Sequence, residues 1–259
     1  MTDRIVEEMN RDGYSILKGV VNSDILSEIQ NNLDSIYQKD HERFGADFLM
    51  QINELEVVRN VLEYHDVFAR LLDETNILDE AIEALLHPFA IIHNYNLIRL
   101  FPDIKTKMLG HQWHRDVYYF GPGIRTAVNV MIPLHKTTVQ NGATEVIPGS
   151  HWQKELPSEQ YISEKKIAAE LEAGDILFCD AATFHAAGKN QTEGHRTIVV
   201  LKYTLSFFTQ QYDFCRMLDM NKYSERIKNR LGWNVRVPDS LENFRVTADK
   251  RMYKWPIRY

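Results

Sequence analysis

The chain has 259 residues, 44% of them hydrophobic and 25% charged, and a formal net charge of −6. That length accommodates one large domain or two small ones, and the acidic balance argues against a dedicated nucleic-acid binder. No run of about 18 apolar residues is present to span a bilayer, and the charged N-terminus lacks the apolar stretch of a secretory signal.

In chain order, Asp12-Gly13-Tyr14 reads as a turn feeding a short strand through Ser15, Ile16 and Leu17. Asn22 or Ser23 then caps a helix whose apolar face is Ile25, Leu26, Ile29, Leu33, Ile36 and Tyr37. Two further helical patterns cover residues 55–72 and 75–86, and His87-Pro88 closes the helical part because proline removes a donor. From Phe89 the pattern changes to short β-branched runs at 90–100, 126–134, 143–147, 175–179 and 197–208, separated by Gly, Pro and Asn. In the second run Asn129 and Met131 share one face while Val128, Val130 and Ile132 share the other. A helical pattern returns at 212–231 and is followed by an aromatic, proline-punctuated tail.

No repeat, low-complexity tract or linker divides the sequence, so one domain is expected. It comprises a helical part over 1–88, a β core over 89–208, and a C-terminal helix and tail over 209–259. The expected class is mainly β with flanking α-helices, as a barrel or sandwich. Cys179 and Cys215 sit in no metal-like spacing and read as reduced thiols, which points to the cytoplasm. From Asn221 onward ten Lys/Arg oppose four acids, a net +6 that leaves the remainder at −12. This basic region, with Lys250, Arg251 and Lys254, points to an anionic small-molecule substrate, although a solvated basic face explains the same charge.

The chemistry is concentrated in HQWHRD, residues 111–116, and FHAAGKNQTEGHR, residues 184–196. If His114-Arg115-Asp116 is a strand, the imidazole and carboxylate point to one side. With His185 from a distant strand they complete a two-histidine, one-carboxylate set suited to ferrous iron. An HxD pair alone is a weak signal, since the chain has 10 histidines. Of these, His41, His65, His87, His93, His135 and His195 carry no partner pattern and read as structural or surface groups. His111 is a candidate substrate contact beside the pair.

Three stretches give the ligand set its context. Trp113-His114-Arg115-Asp116 resembles the WHxD iron motif of the phytanoyl-CoA dioxygenase family of Fe(II)- and 2-oxoglutarate-dependent oxygenases. NGATEVIPGSH, residues 141–151, is similar to that family's NGxxxVIPGSH signature. GDILF at 174–178, followed by His185, Asn190 and Arg196, resembles its GDxLxF…H…N…R segment, so the likeness runs from Asp12 to Thr204. The resemblance implies a double-stranded β-helix core (jelly roll, cupin-like) with helices outside. It further implies Fe(II) held by His114, Asp116 and His185, 2-oxoglutarate as co-substrate with its C5 carboxylate on Arg196, and O2 as oxidant. A planar guanidinium suits a carboxylate bidentately and stays charged when buried.

The same resemblance places Arg99 near the 2-oxoglutarate C1 carboxylate. Asn129 joins the cofactor-binding candidates and Met131 the substrate wall if their shared face points inward, and Tyr118 and Tyr119 follow Asp116 closely enough to add to that wall. Pro148, Gly149 and His151 read as a turn, and Asn190 as a loop brace. Within the resemblance, retention of Asp116 implies hydroxylation of an unactivated C–H bond, with release of succinate and CO2, or a related oxidation (desaturation, ring formation), rather than halogenation. A cupin-like metal enzyme without 2-oxoglutarate, a zinc protein and a non-catalytic binding module remain open alternatives at this point.

Overall fold

The computed structural model describes residues 1–102, 109–247 and 250. Among these residues the strands are β1 (Tyr14–Leu17), β2 (Val57–Val58), β3 (Ile91–Leu100), β4 (Ala127–Pro133), β5 (Thr144–Val146), β6 (Ile167–Ala168), β7 (Ile176–Asp180), β8 (His185–Ala187) and β9 (Arg196–Thr204). They pair antiparallel in a six-stranded sheet ordered β1-β7-β4-β9-β3-β2 and a three-stranded sheet ordered β6-β5-β8. This is a jelly-roll core with helices packed outside.

Strand alternation divides the six-stranded sheet into two chemically distinct faces. The outward face carries Tyr95 and Leu97 of β3, Val128, Val130 and Ile132 of β4, and Val199, Leu201 and Tyr203 of β9. These residues pack against the apolar stripes of α1 (Thr2–Arg11), α2 (Ser23–Phe44), α4 (Val67–Glu74) and α5 (Asn76–Leu85) in one continuous cluster; α3 is the short helix Ala46–Gln51. The inward face carries Met131, Leu177 and Val200, and it also carries the polar groups of the cavity described below.

Several expectations are revised. An unforeseen helix, α1, precedes the Asp12-Gly13 turn and buries Ile5 and Met9. The helix expected over 55–72 does not form as one piece. Val57 and Val58 instead pair with Ile98 and Leu97 at the sheet edge, and Asn60 adopts a left-handed backbone before α4. The pattern at 212–231 is likewise broken, into α7 (Phe214–Met217), which follows α6 (Glu159–Lys165), and α8 (Glu225–Arg230). Asn22 does cap α2, accepting from the Asp24 amide at 2.8 Å. No helix among the described residues is long and apolar enough to cross a membrane.

Among the described residues of the basic C-terminal region, Arg226, Arg230 and Arg236 are engaged with the protein itself. Arg230 is buried and binds Asp79 at 2.8 Å and Glu83 at 2.7 Å, and it donates to the carbonyls of Pro88 and Ala90. Arg226 pairs with Asp79 at 3.3 Å, and Arg236 stacks over Trp233. None of these groups lines the ligand cavity. Arg251 and Lys254 lie outside the described residues.

Asp175, the acid of the GDILF stretch, shows what that motif does for the fold. Its buried carboxylate accepts from the Gly19 and Glu172 amides, at 2.8 and 2.9 Å, and from Lys18 Nζ at 2.9 Å. Burial alone would raise its pKa, but Lys18 and the two amides outweigh that and hold it below the usual carboxylate value. Because the folded state binds this proton more weakly than the unfolded chain, the stabilisation is complete above about pH 4 and is lost as pH falls. Asp175→Ala is expected to cost about 2–3 kcal/mol in urea unfolding at neutral pH. The gap from the wild type should narrow when the titration is repeated near pH 3; a gap independent of pH would assign the cost to packing.

Candidate functional site

His114 and His185 face each other through an antiparallel bridge. The His114 amide donates to the His185 carbonyl at 3.1 Å, and the His185 amide returns the bond at 3.0 Å. His185 opens β8, but the HRD segment is not the strand that its spacing suggested. It is a loop held by this one bridge and by the Asp116 amide bonded to the Ala181 carbonyl at 2.8 Å. Those two anchors do the work that i, i+2 geometry would have done. The ring centroids lie 4.4 Å apart, and His114 Nε2 is 3.5 Å from Asp116 Oδ1.

Each imidazole is oriented by its other nitrogen. His114 Nδ1 bonds the Gln112 carbonyl at 2.8 Å, and His185 Nδ1 bonds the Thr183 carbonyl at 3.0 Å. A carbonyl only accepts, so both Nδ1 atoms carry the proton and both Nε2 lone pairs are left for another partner. With the Asp116 carboxylate, one ligand atom from each of the three residues lies within 4.8 Å of the others. Two imidazole nitrogens and one carboxylate on one side of an ion fit a divalent transition metal with adjacent positions open.

Electrostatics support the same arrangement. Burial would raise the Asp116 pKa, but His114 with Nε2 3.5 Å from Oδ1, the proximity of His185 and Lys202 Nζ at 3.0 Å from Oδ2 hold it far below the usual range. His114 is raised, chiefly by Asp116, whereas burial lowers His185. The set therefore presents an ionised carboxylate beside a neutral His185.

These three groups open on a cavity of about 340 Å³ between the two sheets. Arg196 lines it, is only 2% exposed, and binds the Gly142 carbonyl through Nε at 2.7 Å. No carboxylate pairs with it among the described residues, and burial pushes its pKa down to about 10. A guanidinium withdrawn from water without a counter-ion is costly unless an anion completes it.

The remaining candidates separate by strand face. Met131 lines the cavity, as does His111, from a short 3₁₀ turn at Leu109–His111. Asn129 lies on the inward face opposite Lys202, wholly buried with neither side-chain amide atom bonded, but it does not line the cavity wall. Arg99 must be reassigned. It alternates with Ile98 and Leu100, so it points outward, stacks 3.8 Å over Tyr37 and pairs with Asp34 at 3.3 Å. Tyr118 and Tyr119 also leave the site, because the chain turns away after Asp116. Tyr118 is 88% exposed, and the Tyr119 hydroxyl donates to the Trp152 carbonyl.

Residues missed in the sequence include Lys202 on β9 and Asn94 and Asn96 on β3, all lining the cavity. The signal for Lys202 was present. It shares parity with Arg196 in an otherwise apolar strand, so an inward Arg196 carries Lys202 inward too.

A family model described as phytanoyl-CoA dioxygenase matches residues 9–198. The chain belongs to that family. An uncharacterized protein of Mycobacterium tuberculosis is 28% identical over 258 residues, covering 97% of this chain and 94% of its own length. An iron/alpha-ketoglutarate-dependent dioxygenase of Aspergillus calidoustus is 26% identical, covering 74% of this chain and 69% of its own. Among solved structures, EctD from S. alaskensis with bound Fe superposes with a TM-score of 0.64 at 23% identity, over 82% of this chain and 79% of that one. The epimerase SnoN in complex with Fe3+, alpha ketoglutarate and nogalamycin RO superposes at 0.59 and 20%, over 79% and 84%. These likenesses establish the common fold.

The family's signature residues are scaffold around the ligands. Gly13 has φ +77° and lies so close to Thr183 and His151 that a Cβ would collide with both. Its carbonyl accepts from Thr183 Oγ1 at 2.9 Å, while Ser150 Oγ accepts from the Phe184 amide. His151 itself bonds the Asn10 carbonyl and is not directed at the metal set. Asn190 ties the loop before Arg196 to the Leu100 and Gly194 carbonyls.

Titration of the full chain with Co(II) is expected to give one tight equivalent with a d–d absorption band. Replacing His114, Asp116 or His185 by Ala should weaken that binding by ~100-fold or more. Retention of full affinity in any one of the three variants would remove that residue from the set.

Proposed function

We propose that the protein is an Fe(II)- and 2-oxoglutarate-dependent oxygenase that hydroxylates an unactivated C–H bond of a small molecule, releasing succinate and CO2. The observation that carries this reading is the buried, unpaired Arg196 in the same cavity as the two-histidine, one-carboxylate set. A metal site alone would need no buried arginine, and a plain cupin-type enzyme would have no use for one. The iron and alpha-ketoglutarate named for the fold neighbours and for the Aspergillus relative support the same assignment.

In this reading His114, Asp116 and His185 hold the iron, and Arg196 takes the C5 carboxylate of 2-oxoglutarate. Bound iron supplies oxidative decarboxylation of the co-substrate coupled to oxidation of a C–H bond. The chain's own groups supply orientation and charge. Gly142 fixes the Arg196 guanidinium through Nε, the Gln112 and Thr183 carbonyls hold the two Nδ1 protons and so aim both imidazole Nε2 atoms toward the metal position, and Lys202 restrains the Asp116 oxygen that faces away from His114. Ile198, Val200, Leu100 and Met131 line the cavity with apolar surface that excludes water from the reacting centre.

The anion this cavity is built for is the co-substrate, so we do not assign the primary substrate's charge from the C-terminal region. The chain is read as working as one domain, because a shared core runs from Ile5 to Leu231. Its two free cysteines suit the reducing cytoplasm.

Anaerobic addition of Fe(II) and 2-oxoglutarate should produce the weak visible band of their chelate. Arg196→Met is expected to raise the 2-oxoglutarate Kd by about 100-fold while leaving Co(II) affinity within about threefold. Equal 2-oxoglutarate binding by wild type and variant would defeat the assignment. Once a library screen for stimulated succinate release yields a substrate, turnover under 18O2 should place one labelled oxygen in the product. Unlabelled product would mean epimerisation, desaturation or ring closure instead.

A further inference from the structure

The two oxygens of Asp116 have different neighbours. Oδ1 lies 3.5 Å from His114 Nε2, on the side of the ligand set, whereas Oδ2 lies 3.0 Å from Lys202 Nζ. The loop that carries Asp116 does not by itself fix this division. It holds the residue through one backbone bond, from the Asp116 amide to the Ala181 carbonyl. Beyond that bond the terminal torsion of the side chain is soft, and a carboxylate free to turn binds an ion through one oxygen or through both.

Lys202 has the firm support that Asp116 lacks. It pairs with Asn94 of β3 on one side and with Asn129 of β4 on the other, so its backbone is held by both neighbouring strands. The residues before and after it, Leu201 and Tyr203, are locked into the core on the opposite face. Its side chain is 14% exposed and reaches into the cavity, where Asp116 is the one carboxylate that it pairs with among the described residues.

That placement is unfavourable in two ways. An ammonium drawn out of water carries a desolvation penalty, and beside a ligand set for a divalent cation it repels the ion that the set receives. Neutralising Asp116 is a purpose that a bound metal would itself fulfil. What a metal does not do is choose between the two carboxylate oxygens, and the Lys202 ammonium sits on one of them.

We propose that Lys202 is a positioning residue that limits Asp116 to one-oxygen ligation. Two imidazoles and a single carboxylate oxygen leave adjacent positions open for a chelating co-substrate and for the oxidant, and a second oxygen from Asp116 would fill the last of them. Holding Oδ2 on the strand side keeps that position free. The inference deepens the oxygenase reading and rests on it for the metal.

The test uses the full chain loaded with Mn(II), and 17O relaxation of the solvent counts the exchangeable waters on the ion, with and without 2-oxoglutarate. Lys202→Met keeps the apolar stem and removes the ammonium. It is expected to hold one water fewer than the wild type in both states, while binding Mn(II) at least as tightly, because a positive neighbour is lost and a second oxygen is gained. Lys202→Arg, which still presents donors to Oδ2, should restore the wild-type count. An ordinary support of the ligand set would behave differently: its loss would weaken metal binding about 10–100-fold with the water count unchanged. That result overturns the proposal, as does a count in Lys202→Arg as low as in Lys202→Met. The Zn(II)-loaded wild type supplies a check that needs no variant. Its Lys202 ammonium should give a slowly exchanging 15N signal, and a signal lost to water exchange overturns the proposal. Failure of the wild type to bind Mn(II) removes the metal reading and this inference with it, whereas equal water counts in Mn(II)-loaded wild type and Lys202→Met remove the inference alone.

Discussion

Keeping a guanidinium out of water without a counter-ion is the constraint on which the rest of this structure depends. Arg196 begins β9, the strand hydrogen-bonded on both sides by β4 and β3. The desolvation of such a charge costs several kcal/mol, and the Gly142 carbonyl offsets only part of it. Stability must come from the opposite face of the same strand. There Val199, Leu201 and Tyr203 are buried under the N-terminal helices with Ile5, Met9, Phe68 and Leu71. One strand thus joins the core that stabilises the fold to the cavity that Arg196 lines.

The metal set depends on a second economy, in which backbone groups rather than side chains orient the ligands. The His114–His185 bridge, the Gln112 and Thr183 carbonyls and the Ala181 carbonyl place both imidazoles and the backbone of Asp116, whose carboxylate Lys202 restrains. That places the burden on whatever holds residues 181–185. Gly13, Ser150 and Thr183 supply it through contacts that tolerate no added Cβ at residue 13. The DGY and PGSH stretches are therefore conformational supports for His185, which explains why His151 lies inside the signature without facing the metal.

Charge pairing then sorts the cavity. Lys202 and Arg59 each have a carboxylate neighbour, and Arg196 has none among the described residues. Of the basic C-terminal residues, Arg226 and Arg230 fasten α8 to α5.

Much of this was legible in the residues themselves. Alternation of two separated Asn129 and Met131 from the apolar face of β4, and the Asn22 cap marked the start of α2. Each is a local rule with one outcome. Parity applied to β9 would have found Lys202, and applied to β3 it would have turned Arg99 outward, since Ile98 and Leu100 face the cavity. What no local rule contains is the bulge at His93, the edge pairing that displaced a helix at Val57, and the turn that carries Tyr118 into solvent. These follow from which strand lies beside which, and that is a contest among distant partners for backbone hydrogen bonds. The sequence by itself determined the family, the donor types and the buried cation; only the tertiary structure decided which polar groups lack partners, because a vacancy is defined by everything packed around it.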